Sequence, residues 1–195
     1  MPDNTNNAKN VTTGKPKIGG AVYAAPVGST VPTSATATLD AAFKCLGYCS
    51  EDGLTNDNSP ESEDIKAWGG NIVLTAQTEK PDEFTFTLLE IMNADVLKLV
   101  YGSQNVSGSL TSGLIVTANS KELDSWAFVV DMVLNGSGKK RIVIPNGKVK
   151  EIGTITYKDD EAVGYETTIS ALPDSSENTH YEYIIQPTGA TGASN

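Results

Sequence analysis

The side chains that most often do chemistry are scarce here: one His (His180), one Arg (Arg141) and two Cys (Cys45 and Cys49) in 195 residues. His180 lies in Asn178-Thr179-His180-Tyr181, at the entrance to an expected strand, and reads as a hydrogen-bonded strand-end histidine rather than a proton shuttle. Cys45-Leu-Gly-Tyr-Cys49 has neither zinc nor redox spacing. On one extended strand its sulfurs would share a face but stand too far apart to bridge, so two reduced packing cysteines are expected. The sequence contains no Gly-x-Ser-x-Gly elbow, phosphate-cradling Gly-x4-Gly-Lys loop or dinucleotide glycine fingerprint. Paired carboxylates can cleave glycosides. The acidic sets Glu61/Glu63/Asp64 and Asp159/Asp160/Glu161, however, sit in turn-like stretches without an aromatic platform close in sequence. Residues 51–64 also lack the alternating ligands, central Gly and distant Glu of an EF-hand loop. No catalytic, cofactor-binding or metal-binding residue is assigned.

Charge is the stronger signal. Lys plus Arg number 14 and Asp plus Glu 24, a net charge of −10, which argues against gripping nucleic acid, where cations must replace the counterions of phosphate. The charges are unevenly placed. Residues 51–64 carry Glu51, Asp52, Asp57, Glu61, Glu63 and Asp64 and no base. Residues 139–150 carry Lys139, Lys140, Arg141, Lys148 and Lys150 and no acid. Such runs are either ordinary solvated turns or opposite patches that meet between copies of the chain and set register. A heterologous contact of that kind closes a ring or extends a stack.

The elements that must position these residues are mostly strands. Residues 51–64, rich in Asn, Gly, Ser and Pro, read as a long loop. A strand pair follows, turning at Gly69-Gly70 and running through residues 71–78. Phe84-Thr85-Phe86 alternates as a half-buried strand does. Thr87 to Glu90 fits a capping box, and Leu88, Met92, Val96 and Leu99 recur at helical spacing, so one helix is expected over residues 88–101. Residues 126–134 are apolar on both faces, the mark of a central covered strand. Asn135 to Gly138 and Pro145-Asn146-Gly147 both read as hairpin turns. In residues 162–172, Val163, Tyr165, Thr167, Ile169 and Ala171 share a packing face, and Gly164, Glu166, Thr168 and Ser170 a wet one. The fold class is mainly β: an antiparallel β-sandwich flanked by one α-helix. Residues 17–186 form the domain, with flexible tails expected at 1–16 and 187–195. The N-terminal tail has no apolar stretch behind a positive start, so no secretory signal is expected. No run of 18 apolar residues occurs, so no membrane insertion is expected.

Several stretches, in order, resemble the major tail proteins, or tail tube proteins, of long-tailed, siphovirus-type bacteriophages. They are Gly20-Ala-Val-Tyr-Ala-Ala-Pro26, Leu46-Gly-Tyr-Cys-Ser-Glu-Asp-Gly-Leu-Thr-Asn56 and Ile65-Lys-Ala-Trp-Gly-Gly70, then Glu90-Ile-Met-Asn-Ala-Asp-Val-Leu-Lys-Leu-Val-Tyr-Gly102, Arg141-Ile-Val-Ile-Pro-Asn-Gly147 and Ala171-Leu-Pro-Asp174. The resemblance implies a structural, non-enzymatic subunit of the virion tail, assembled in the host cytoplasm. Six copies would close a ring in which four strands each join one barrel, and rings would stack into a tube. It implies that the early long loop, here residues 51–64, reaches an adjacent ring. Its implied partners are further copies of itself, a tape-measure protein inside the tube, tail tip or baseplate and tail terminator proteins at the ends, and DNA as passing cargo. Two other classes stay open: another virion component (head decoration or tail terminator) and a β-rich carbohydrate- or surface-binding module.

The implied barrel has a sensible size. Strands spaced about 4.8 Å and tilted about 40° give about 24 strands a backbone diameter near 48 Å. Side chains leave roughly 38 Å, ample for a duplex about 20 Å across. The gap on either side is then about one Debye length, ~8 Å, so a neutral or acidic wall lets DNA slide where a basic one would hold it. The residues expected to face that channel are Thr75, Gln77 and Glu79 with Glu166, Thr168 and Ser170.

Overall fold

The computed structural model describes residues 5–186. Thirteen strands and one α-helix run in the order β1 (Lys15–Pro16), β2 (Val22–Pro26), β3 (Lys44–Cys45), β4 (Cys49–Asp57), β5 (Glu61–Lys66), β6 (Ile72–Glu79), β7 (Glu83–Leu88), α1 (Ala94–Tyr101), β8 (Val106–Ser109), β9 (Gly113–Val116), β10 (Ser125–Val133), β11 (Lys139–Ile152), β12 (Tyr165–Ala171) and β13 (Tyr181–Ile185). Nine of them form one antiparallel sheet in the order β3-β2-β10-β11-β12-β7-β4, with β1 also beside β10 and β13 beside β11. β5–β6 and β8–β9 are separate two-stranded ribbons.

The long strand β11 makes a sandwich from this one sheet. Its first residues, Lys139 to Val143, pair with β13, and its last, Gly147 to Ile152, pair with β12. Between them a bulge opposite β10 (Phe128 faces Ile144, Trp126 faces Gly147) bends the strand, as an extra unpaired residue does. The turn expected at Pro145-Asn146-Gly147 is therefore this bulge inside a continuous strand. Gly147 is required there, because a Cβ would stand 2.8 Å from the Phe128 ring and 2.9 Å from Ile169. Val22, Phe128, Val130 and Ile144 of one layer then meet Phe84, Phe86, Leu88 and Ile169 of the other, closed by Val96, Leu99 and Val100 of α1.

β10 is buried on both faces, as its sequence requires. Its other face, Ala127 and Val129, packs with Ala25, Phe43 and Val143 beneath the segment carrying Val31 and Leu39. Arg141 lies there too, 4 % exposed. Its Nε and Nη2 donate to Asp131 at 2.6 and 2.9 Å, and Nη1 donates to the carbonyls of Ser34 and Ala37 at 3.0 and 2.7 Å. Lys17 Nζ completes the cluster, 3.1 Å from Asp131.

The helix is shorter than the sequence predicts. It starts at Ala94, capped by Asn93, whose side-chain oxygen accepts the Asp95 N–H at 3.0 Å, and it ends at Gly102 with φ 95°. Residues 88–93 are not helical, because Leu88 ends β7 and is fully buried, and Leu89 N–H bonds the Tyr48 carbonyl. The capping box fails because Glu90 is used elsewhere. Its carboxylate covers Gly47 and accepts the Tyr48 N–H at 3.2 Å and an Asn93 N–H at 3.1 Å. Met92 consequently faces out, 67 % exposed.

Part of the expected N-terminal tail is built into the sheet: β1 pairs with Met132 and Val133, and the Thr12 and Thr13 hydroxyls bond Asn135. The tail expected at residues 187–195 lies outside the described residues.

Candidate assembly surface

The far half of the sandwich presents a polar outer face. Along β7, Phe84, Phe86 and Leu88 point inward while Glu83, Thr85 and Thr87 point outward, and β12 alternates in the same way. Thr85 and Thr168 are directly opposed, their hydroxyls 2.9 Å apart. Glu166 faces Thr87, and Ser170 faces Glu83, with which it shares a hydrogen bond. Thr55 and Asp57 on β4 extend the row on one side, Lys148 and Lys150 on β11 on the other. Four strand segments thus form a surface of hydroxyls and charges. The residues expected from sequence to face a channel omit Thr55, Thr85 and Thr87, although the Glu-Phe-Thr-Phe-Thr-Leu alternation carries the signal for the last two.

The cations on this surface are already matched. Lys150 pairs with Glu83, which raises the lysine pKa through that hydrogen bond, and Lys148 pairs with the exposed Glu122. Lys140 pairs with Glu182. The basic run 139–150 is accordingly no single patch. Arg141 is a correction to the expectation: it is interior, because β11 is covered on both faces from Arg141 to Ile144 and residue 141 stands opposite Asp131 on β10. Among the described residues Lys139 has no ion-pair partner.

The acidic segment 51–64 is likewise not a loop. Glu51 and Asp52 sit in a bulge of β4, Asp57 ends that strand opposite Glu83, and Glu61, Glu63 and Asp64 lie on β5. Period-2 hydrophobicity, the usual strand signal, arises from one buried face. A strand wet on both faces gives no such signal, and every residue from 61 to 75 is exposed. β5 and β6 bond only to each other, turning through Gly69 (φ 104°) and Gly70 (φ 90°). Thr75, Gln77 and Glu79 are exposed on this ribbon, Thr75 donating to Asp64 at 2.7 Å.

Asp82 ties the ribbon's base to the body. Its carboxylate accepts from Asn56 of β4 at 2.9 Å and from the Thr179 hydroxyl at 2.5 Å, and it meets His180 Nδ1 at 2.5 Å. Burial pushes its pKa up, but these hydrogen bonds outweigh that and hold it below the ordinary value. His180 packs edge-on to Phe84, centroids 5.2 Å apart. The nearby hydroxyl, Thr179, donates to the carboxylate, so the group works as a clamp at the start of β13.

An apolar groove of about 660 Å³ opens where β2 and β3 approach the start of β4, lined by Ile18, Val22, Leu54, Phe86, Val130 and Met132 among others. Cys45 and Cys49 border it as free thiols, and burial, then Cys45, pushes the Cys49 thiol up to about 11. Among the described residues no three His, Cys, Asp or Glu side chains converge as metal ligands, and no helix is long and apolar enough to cross a membrane.

The described residues thus form a two-layer β-sandwich with one polar sheet face and a separate, exposed two-stranded ribbon. The family model described as phage tail tube protein matches residues 4–193, and the chain belongs to that family. Among curated proteins none matches the chain. It is a structural tail tube subunit, a component of the virion tail.

Proposed function

We propose that six copies close a ring in which the polar faces of β11, β12, β7 and β4 line a continuous barrel, and that rings stack into a hollow conduit. The conduit holds a tape-measure protein until DNA replaces it, and tail tip and terminator proteins cap its ends, as in flexible, siphovirus-type tails. Glu166, Thr168 and Ser170 lie on the proposed lining, with Thr75, Gln77 and Glu79 continuing it along the ribbon.

The observation that carries this reading is the β5–β6 ribbon. An isolated two-stranded ribbon is at best marginally stable in water, and this one exposes Ile65, Ile72, Val73 and Leu74. Neighbouring subunits supply the missing cover. The lining suits sliding, because Lys148 and Lys150 are matched by Glu122 and Glu83 and the chain is acidic overall, so phosphate finds no free cation row to bind.

Electron microscopy of the concentrated full chain tests it. Tubes of uniform width with a bore of roughly 40 Å are expected; protein that stays monomeric, or solid fibres, overturn it.

A further inference from the structure

Asn-Gly occurs twice in the chain, at Asn135-Gly136 and Asn146-Gly147, and the fold treats the two oppositely. A glycine after an asparagine leaves its peptide nitrogen open to the asparagine side chain, because no Cβ stands in the way. At the second site that nitrogen is locked. Gly147 is buried between Trp126 of β10 and Ala171 of β12, and the Asn146 carbonyl accepts the Leu172 N–H at 2.8 Å. At the first site Asn135, Gly136 and Ser137 are all exposed, in the turn between β10 and β11. The turn is closed by the N–H groups of Leu134 and Gly138, which reach the Gly138 and Asn135 carbonyls at 2.7 and 3.4 Å. The Gly136 N–H takes no part in that closure. Gly136 and Ser137 are both left-handed, each with φ 65°, a conformation that serine rarely adopts and that stores strain.

This turn also fastens both ends of the described chain. The Asn135 N–H donates to the Thr12 hydroxyl at 2.8 Å, and its Oδ1 accepts the Thr13 hydroxyl at 3.2 Å. Gln186 Nε2 donates to the Gly136 carbonyl at 2.9 Å and reaches the Asn135 carbonyl at 3.5 Å. Residues 12–13, just before β1, and residue 186, just past β13, thus hang on two adjacent residues. The Thr13 hydroxyl has a second consequence. It points at the oxygen on which negative charge gathers when a nucleophile attacks the amide carbon, and a donor so placed favours the attack.

We propose that Asn135 is a self-modification site whose deamidation unfastens both chain ends. The Gly136 nitrogen loses its proton and bonds to Asn135 Cγ. The Cγ–Nδ2 bond breaks, and ammonia leaves carrying that proton, which gives a cyclic succinimide. Water then opens the ring at either carbonyl carbon. Opening at Cγ yields aspartate; opening at the original main-chain carbonyl yields isoaspartate. One water enters and one ammonia leaves, with no oxidant or enzyme needed. In isoaspartate the main chain runs through Cβ and Cγ and is longer by one carbon. The spacing between the Asn135 N–H and the Gly136 carbonyl changes, so the Thr12 and Gln186 contacts are not both kept. The added length also releases Ser137 from its left-handed position, so the product is not driven back toward the original turn.

The test ages the full chain at mildly alkaline pH and follows it by peptide mapping and by labelling with an isoaspartate-specific methyltransferase. Conversion is expected at Asn135 and about tenfold or more slower at Asn146, whose ladder must first open. Gly136→Ala, whose added Cβ meets only the far end of the Gln186 side chain, should slow conversion at Asn135 by about tenfold or more, since the methyl group hinders the attacking nitrogen. Amide hydrogen exchange reads the release. The Lys17 N–H, bonded to the Asp131 carbonyl at 3.1 Å beside β1, and Ile185, paired with Lys139, should exchange faster in step with isoaspartate formation. Aged Gly136→Ala should show no such change. An Asn135 that keeps its amide as long as Asn146 does overturns the site. Complete conversion with exchange at Lys17 and Ile185 unchanged overturns the unfastening.

Discussion

Arg141 and Asp131 face each other across β10 and β11 and share two parallel hydrogen bonds, 2.6 and 2.9 Å, with both side chains under one-tenth exposed. The remaining guanidinium nitrogen reaches over to Ser34 and Ala37. One ion pair thus joins the central strands to the segment that covers them.

Removing one partner leaves the other buried and unmatched, a loss of about 3–5 kcal/mol for pairs of this kind. Arg141→Met should lower stability by about that amount, measured by denaturant unfolding, while Arg141→Met with Asp131→Leu should recover much of it. Equal losses in the single and double variants would show that the pair is not the source.

Acid should loosen both this cluster and the Asp82 clamp at the start of β13. Burial raises the pKa of both Asp131 and Asp82, but Arg141 and Lys17 for the first, and Thr179, Asn56 and His180 for the second, hold both below the ordinary Asp value. A carboxyl whose folded pKa is depressed adds stability that is complete above its unfolded pKa, about 3.9, and is lost as pH falls through the folded value. Unfolding free energy should therefore drop below about pH 4. Asp82→Asn should be less stable at neutral pH yet show a shallower acid slope; an unchanged slope would exclude Asp82 as a contributor.

Gly147→Ala places a methyl between the Phe128 ring and Ile169, both fully buried. Overpacking of this kind costs about 1–3 kcal/mol, so the melting midpoint should fall by several degrees. Gly53→Ala, with open space at its Cβ but φ at +75°, separates crowding from backbone strain.

Asn93→Ala removes the cap of α1 and should cost about 0.5–2 kcal/mol, read from thermal unfolding. Thr87→Ala, at the capping position the sequence favours, should leave the helix signal in circular dichroism unchanged.

If β12 faces the channel, Glu166→Lys and Ser170→Lys together line it with unmatched cations. Tubes should still form, but DNA release from particles should slow, and raised salt should restore it, since salt screens phosphate contacts. Release at the normal rate would exclude these positions from the lining.

Where a strand has one dry face, its sequence revealed it. Phe84-Thr85-Phe86, the stretch from Tyr165 to Ala171 and the doubly covered stretch around Val129 all fold as their patterns predict. Legibility fails where the pattern answers to something else. β5 is wet on both faces and β4 is broken by a bulge, and both read as loop; Gly147 reads as a turn though it serves a bulge; Glu90 reads as a cap though it covers Gly47. Arg141 misled for a third reason: neighbouring lysines make it look exposed, and only register with Asp131 shows it is interior. The groove joins residues from 14 to 132 and is written in no single stretch.

The two legs of the ribbon enter the sheet side by side, at Asp57 and Glu83, and run on as β4 and β7. A tug on the tip draws both legs the same way, so the load passes from β7 to β12, whose paired positions from Tyr165–Leu88 to Ser170–Glu83 are loaded together in shear rather than unzipped one by one. Strands loaded that way resist force far better than strands peeled from an edge, a mechanical property suited to a long filament that must bend without parting.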